Sequence, residues 1–241
     1  MALKYEDIAG MIDHSLLHPT LTDDQLLEGC ETALLYRTAS VCIKPYALPI
    51  AVSILKDSPV KVGTVVSFPH GNCDTKVKVD EARQAIDDGA QEIDMVINTG
   101  KALSENWEFI EYEVNLVLEL TREHDVTLKI IFENDFLGEE EIIELCKICS
   151  DLQVPYVKTS TGYGFVKQPN GFYAYKGATL MDLEIMKEFV KPPTKIKAAG
   201  GIRTLDDVLL MRKIGVSRVG TTSTVSILND LRKRLQQGVL E

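Results

Sequence analysis

A short β-branched run, a polar turn, then a stretch with apolar residues three and four apart: this pattern recurs along the 241 residues and limits the available folds more than any single motif. The strand-like runs are Gly10 to Asp13, Ser40 to Ile43, Val60 to Val66, Glu92 to Ile97, Thr127 to Phe132, Tyr156 to Thr159, Lys195 to Ala198 and Arg218 to Gly220. Helical periodicity is clearest in Asp23 to Tyr36, Thr75 to Asp88, Glu105 to Glu123 and Glu139 to Asp151. A further helix is expected from about Asp206 to Ile214, behind Thr204 as N-cap, and a last one from about Thr224 to Gln236. Eight strand–helix units in a chain of this length fit a single-domain (β/α)8 TIM barrel over residues 1–241. An open doubly wound sheet is the alternative. It usually carries a glycine-rich phosphate loop after its first strand, and here that position reads Asp13-His14-Ser15-Leu16-Leu17.

A second domain would need a polar, flexible linker. The nearest candidate, Gly162 to Gly177, contains Phe165, Phe172, Tyr173 and Tyr175 and reads as a long functional loop. Within it, Pro169-Asn170-Gly171 is a turn sequence between two short apolar stretches. A hairpin is therefore expected, either a surface feature or a lid over a bound anion.

Charge excludes several functions. With 26 Lys plus Arg against 36 Asp plus Glu, the chain carries a net charge of −10, unfavourable for a phosphate backbone, so no nucleic-acid partner is expected. No apolar run approaches the roughly 18 residues of a membrane span, and the acidic start Met1-Ala2-Leu3-Lys4-Tyr5-Glu6-Asp7 does not suit a signal peptide. Five cysteines, odd in number and widely spaced, suit a reducing cytoplasm.

In a barrel, the working residues sit toward the C-terminal ends of the strands and in the loops after them. Those positions hold Asp13 on the first strand, Cys42 and Lys44 on the second and Asp94 on the fourth. The fifth supplies Lys129 and Glu133, the sixth Lys158 and the seventh Lys197. Lys158 and Lys197 stand on neighbouring strands, so both ammonium groups can enter one mouth. Like charge and desolvation would then favour a neutral amine able to attack a carbonyl. Two lysines paired separately with acids would satisfy the same spacing. Alternation places Glu92, Asp94 and Val96 on one face of the fourth strand, where Asp94 can be a structural ion-pair partner or a proton shuttle. Gly200-Gly201 and Gly220-Thr221-Thr222-Ser223, after the last two strands, fit either simple turns or a phosphate cradle. Cys146 and Cys149 lie on a helix without a second pair and read as core. His14 and His18 lack the intervening Glu of a zinc helix, so no metal is expected.

The motifs Ile12-Asp13-His14-Ser15-Leu16-Leu17, Val41-Cys42-Ile43-Lys44-Pro45, Glu92-Ile93-Asp94-Met95-Val96-Ile97-Asn98 and Leu128-Lys129-Ile130-Ile131-Phe132-Glu133 occur in order. They are followed by Val157-Lys158-Thr159-Ser160-Thr161-Gly162, Lys197-Ala198-Ala199-Gly200-Gly201-Ile202-Arg203-Thr204 and Gly220-Thr221-Thr222-Ser223. In these the chain resembles the deoxyribose-phosphate aldolase family of Schiff-base barrel aldolases, over nearly its whole length. The resemblance implies Lys158 as the Schiff-base lysine, Lys197 as the lysine that lowers its pKa and Asp94 as the acid that moves protons with a water. Asp13, Cys42 and Lys129 become supporting residues, and Gly162, Gly200, Gly201, Thr222 and Ser223 hold the substrate phosphate. It also implies no cofactor, a sugar-phosphate substrate and a homodimer. Rival functions are an aldolase with another donor or acceptor, a sugar-phosphate isomerase or epimerase, and a non-catalytic sugar-phosphate-binding barrel. Three departures from the family pattern are the long Tyr163 to Lys176 segment, His18 where many members have lysine, and an expected lack of the C-terminal tyrosine tail of some members.

Overall fold

The computed structural model describes residues 3–239. Met1 and Ala2, the first residues of the segment weighed as a signal peptide, lie outside that range. So do Leu240 and Glu241, where a C-terminal tail was weighed.

Among the described residues there are ten strands: β1 (Ile12–Leu16), β2 (Ser40–Ile43), β3 (Lys61–Val66), β4 (Glu92–Val96), β5 (Thr127–Ile131), β6 (Tyr156–Lys158), β7 (Val166–Lys167), β8 (Tyr173–Ala174), β9 (Lys195–Ala199) and β10 (Arg218–Thr221). Eight of them close a parallel barrel in the order β1-β2-β3-β4-β5-β6-β9-β10, and β10 returns to β1 through Ile12↔Val219 and Asp13↔Gly220. The other two, β7 and β8, form the antiparallel hairpin expected around Pro169-Asn170-Gly171, paired Val166↔Ala174 and Lys167↔Tyr173.

The helices are α1 (Tyr5–Ala9), α2 (Asp23–Tyr36), α3 (Leu48–Leu55), α4 (Thr75–Asp87), α5 (Thr99–Leu103), α6 (Trp107–Glu123), α7 (Glu139–Asp151), α8 (Leu180–Phe189), α9 (Leu205–Ile214) and α10 (Thr224–Gln236). Side-chain caps fix several starts, because each cap satisfies an amide with no partner inside its own helix. Thr22 accepts the Gln25 N–H for α2, and Thr204 accepts the Asp207 N–H for α9, as its position before that helix suggests. The helix expected from Glu105 starts at Trp107 instead, because Asn106 caps it by accepting the Phe109 N–H. Four helices carry too weak a periodicity to be read from the sequence: α1 and α5, at five residues each, the strongly apolar α3, and α8.

The first strand is displaced from its expected place. Gly10 belongs to the end of α1, donating its N–H to the Glu6 carbonyl, and pairing with β2 runs from Asp13 to Leu16. Asp13 is therefore the second residue of β1 and lies low in the barrel, not at the strand's end.

Alternation divides each strand between two environments. Val41, Ile43, Ile93, Met95, Leu128, Ile130, Val157, Ile196, Ala198 and Val219 join the apolar core beneath the helices. The residues between them face inward, and there Asp13, Glu92, Asp94, Lys129, Lys158 and Lys197 are all buried. Barrel interiors are usually filled with branched apolar side chains; this one is filled with charge. Among the described residues no helix is long and apolar enough to cross a membrane.

Candidate active site

The charged interior is one connected ion network. At its base Arg218 reaches Asp13 Oδ1 through Nε at 2.7 Å and Glu92 Oε2 at 2.7 Å. Lys129 donates to Glu92 Oε2 at 2.6 Å and to Asp94 Oδ1 at 2.9 Å. Above them Lys197 contacts Asp13 Oδ2 at 2.5 Å and Asp94 Oδ2 at 2.7 Å, and Lys158 contacts the same Asp94 oxygen at 2.8 Å. Strand register brings this about: Lys158 pairs with Lys197 across β6 and β9, and Asp94 pairs with Lys129 across β4 and β5.

Three carboxylates therefore face four cations. Burial of an unbalanced charge is costly, so the network favours losing one proton from a cation. Arg218 cannot lose it at any ordinary pH. Burial acts against charge on every lysine here, but acids overcome it at two of them. Asp94, Glu92 and Asp13 hold Lys129 above the usual lysine range, and Asp13 with Asp94 does the same for Lys197. Lys158 moves down: its burial and the neighbouring Lys197 outweigh its single carboxylate partner. Burial would raise Asp94, yet Lys129, Lys158 and Lys197 hold it well below the carboxylate range. The Cys42 thiol, pushed up to about 11 mainly by burial, stays protonated at neutral pH.

A cavity of about 330 Å³ opens above this floor, reached by Lys158, Lys197, Asp13 and Cys42. One rim is made of Gly162, Gly200, Gly201 and Thr222. Gly200 and Gly201 have φ of 93° and 80°, a region that glycine enters freely, and the open backbone of that turn faces the cavity. Ser223 is not on the wall; its N–H is taken by Thr221 Oγ1 at 2.9 Å.

A further part of the rim comes from the hairpin segment. Phe165 and Tyr175, at its two ends, stack edge to face with centroids 5.3 Å apart, and Tyr163 packs against Phe68 in the same manner at 5.6 Å. Tyr163, Phe165 and Tyr175 all line the cavity, as do His18 and Arg203.

Of the residues expected at the site, Lys158, Lys197, Asp13 and Cys42 meet at the cavity floor, with Asp94 and Lys129 directly beneath. Lys44 is elsewhere, donating to the carbonyl oxygens of Pro19 and Leu21. His14 faces the helices, its Nδ1 2.7 Å from Thr224 Oγ1, and burial lowers its pKa to about 4. Cys146 and Cys149 are wholly buried in the core. Arg218 and the role of Glu92 as its partner were missed, since both stand at the starts of their strands, away from the end where chemistry is sought. The aromatic wall was readable only as a cluster of aromatic residues in a long loop.

A family model for DeoC/LacD aldolases matches residues 8–220. The chain is 42% identical over 238 residues to a deoxyribose-phosphate aldolase of Rhodopirellula baltica, covering 99% of this chain and 95% of that one. Among solved structures it is similar to an aldolase designated QR15, at 35% identity and a TM-score of 0.86, with 96% and 98% of the two chains covered. It is also similar to the deoxyribose phosphate aldolase of Aeropyrum pernix, described as a tetramer, at 26% identity and a TM-score of 0.84, covering 95% and 92%.

Proposed function

The chain belongs to the DeoC/LacD family of aldolases, and from that premise we propose that it reversibly cleaves 2-deoxy-D-ribose 5-phosphate to acetaldehyde and D-glyceraldehyde 3-phosphate through an imine on Lys158. The observation that carries the reading is the charge imbalance of the buried network, which falls on Lys158, the one of its three lysines whose pKa is moved down. A carbon–carbon lyase of this kind needs an electron sink beside the bond it breaks. A neutral amine that condenses with the substrate aldehyde supplies one.

In the cleavage direction, the Lys158 amine adds to C1 of the open-chain sugar, and loss of water gives a protonated imine. The C3 hydroxyl gives up its proton, the C2–C3 bond breaks, and its electron pair enters the new enamine. Glyceraldehyde 3-phosphate departs. Protonation at C2 and hydrolysis of the imine then release acetaldehyde and restore the amine. Asp94, which touches both lysines, passes protons to and from C2 and the C3 oxygen by way of a bound water in this scheme. Lys197 acts as the fixed cation that, together with burial, lowers the pKa of Lys158. Asp13 and Lys129 hold Lys197 and Asp94 in place, and Cys42 forms part of the floor. The Gly162, Gly200–Gly201 and Thr222 rim takes the phosphate through backbone N–H groups, and α10, whose N-cap is Ser223, adds the field of its positive end from behind the wall. The hairpin aromatics cover the sugar and exclude water. No cofactor enters this scheme. The five cysteines are free, which suits a cytoplasmic enzyme. Assembly as a homodimer completes the proposal, and a mass of one chain by light scattering would contradict that part.

The test is direct. Purified protein given 2-deoxyribose 5-phosphate should release acetaldehyde and glyceraldehyde 3-phosphate in equal amounts, at the same rate with and without a chelator. Absence of cleavage would overturn the substrate assignment, and loss of activity with chelator would overturn the metal-free scheme.

A further inference from the structure

The 3-10 turn Asn134–Phe136 after β5 has no part in the scheme above, yet it holds both ends of the hairpin segment. Glu133 enters that turn with φ of 60°, a region non-glycine residues rarely occupy. Its carboxylate, 1% exposed, accepts the Thr161 N–H at 3.2 Å and the Thr161 hydroxyl as well. Gly164 runs so close to it that a Cβ there would lie 2.7 Å from the carboxyl carbon. Two residues on, Asp135 accepts the N–H groups of Lys176 at 2.5 Å and Gly177 at 3.0 Å.

Each foot of the hairpin leads to a glycine of the cavity rim. Thr161 precedes Gly162 directly. Gly177 lies backbone to backbone on Gly200: a Cβ at Gly177 would come 2.5 Å from the Gly200 carbonyl oxygen, and the Ala178 N–H donates to that same oxygen at 3.1 Å. One short turn therefore governs two glycine turns that belong to different strands.

We propose that Glu133 and Asp135 are positioning residues for the phosphate end of the site, fixing the Gly162 and Gly200 turns relative to each other through Thr161 and Gly177. The inference rests on the phosphate assignment proposed above. It makes recognition of the phosphate depend on two acids that never touch it, which explains how acidic residues can favour an anion: their carboxyl oxygens are occupied by backbone N–H groups and a hydroxyl.

The experiment compares wild type with Glu133→Ala, Glu133→Gln and Asp135→Ala by amide hydrogen exchange and by kinetics on phosphorylated and unphosphorylated 2-deoxyribose. Loss of the bonds at one foot should speed exchange across residues 161–164 in Glu133→Ala about tenfold and raise KM for the phosphorylated sugar about tenfold. Exchange in the barrel strands, kcat, and KM for the unphosphorylated sugar should stay near wild type. Glu133→Gln, whose amide oxygen still accepts from Thr161, should recover most of both effects. Unchanged exchange at 161–164 in Glu133→Ala would overturn the clamp, as would equal KM changes for the two sugars. Should Glu133→Ala fail to fold, Asp135→Ala at the partly exposed second foot gives the same test at residues 176–178. A wild-type protein that does not cleave the phosphorylated sugar would overturn the functional reading alone, since hydrogen exchange decides the clamp without a substrate.

Discussion

Lys158 and Lys197 donate to the same oxygen, Oδ2 of Asp94, at 2.8 and 2.7 Å, and only Lys197 has a second acid, Asp13, at 2.5 Å. That difference separates two residues of one type on adjacent strands. A lysine with two carboxylates keeps its proton, whereas a lysine that shares one carboxylate with another cation is the one able to release it.

Lys197→Leu removes the neighbouring cation and leaves Asp94 and Asp13 to act on Lys158 with less opposition. The pKa of Lys158 should rise, so activity should fall steeply at neutral pH and recover in part at higher pH. A pH–rate profile checks this, and residual activity that stays flat with pH would count against electrostatic activation.

Asp94→Asn keeps the shape of the site but removes the charge that accepts from three lysines. Turnover should fall by about 10²–10⁴-fold, the usual contribution of a general acid–base group. Near-native turnover in steady-state assays would reduce Asp94 to a structural partner.

Arg218 is a stability element in this account. Arg218→Met leaves Asp13 and Glu92 without their shared guanidinium in the barrel interior. Breaking a buried ion pair on one side costs roughly 3–5 kcal/mol, and urea denaturation should show a loss of that order. A variant as stable as wild type would mean that Lys129 and Lys197 alone balance the acids.

Glu133 gives a stability signature of opposite sign to the usual carboxylate. Burial pushes it from an ordinary 4.5 up to about 7, against the bonds from Thr161. Between those two values the folded protein keeps a proton that the unfolded chain has released, so this residue's contribution to stability declines as pH rises from about 4.5 to about 7. Glu133→Gln should abolish that decline. Denaturation curves of the two proteins across the window, compared at each pH, should therefore converge on the acid side and separate toward neutrality. Parallel curves would show that Glu133 does not titrate there.

Much of this arrangement is legible in the sequence. Parity along β4 put Glu92 and Asp94 on one face, and adjacency of β6 and β9 put Lys158 beside Lys197; both relations need only the alternation of side chains and the order of the strands. The hairpin was legible from Pro169-Asn170-Gly171. Other features were not, because they depend on distant pairing. Asp13 was placed too high, since Gly10 looked like the start of a strand and in fact ends a helix. Arg218 meets Asp13 across 205 positions of sequence, a contact that exists only once β10 closes on β1. Glu133 and Asp135 sit in a turn whose partners, Thr161 and Gly177, are fixed by the path of the hairpin and by nothing local.

Lys158 is the proposed nucleophile. Incubation with acetaldehyde followed by borohydride reduction should leave a covalent two-carbon adduct, and peptide mapping by mass spectrometry should place it on Lys158 alone. An adduct on Lys197, Lys129 or Lys44, or no adduct in protein that cleaves the sugar phosphate, would contradict it.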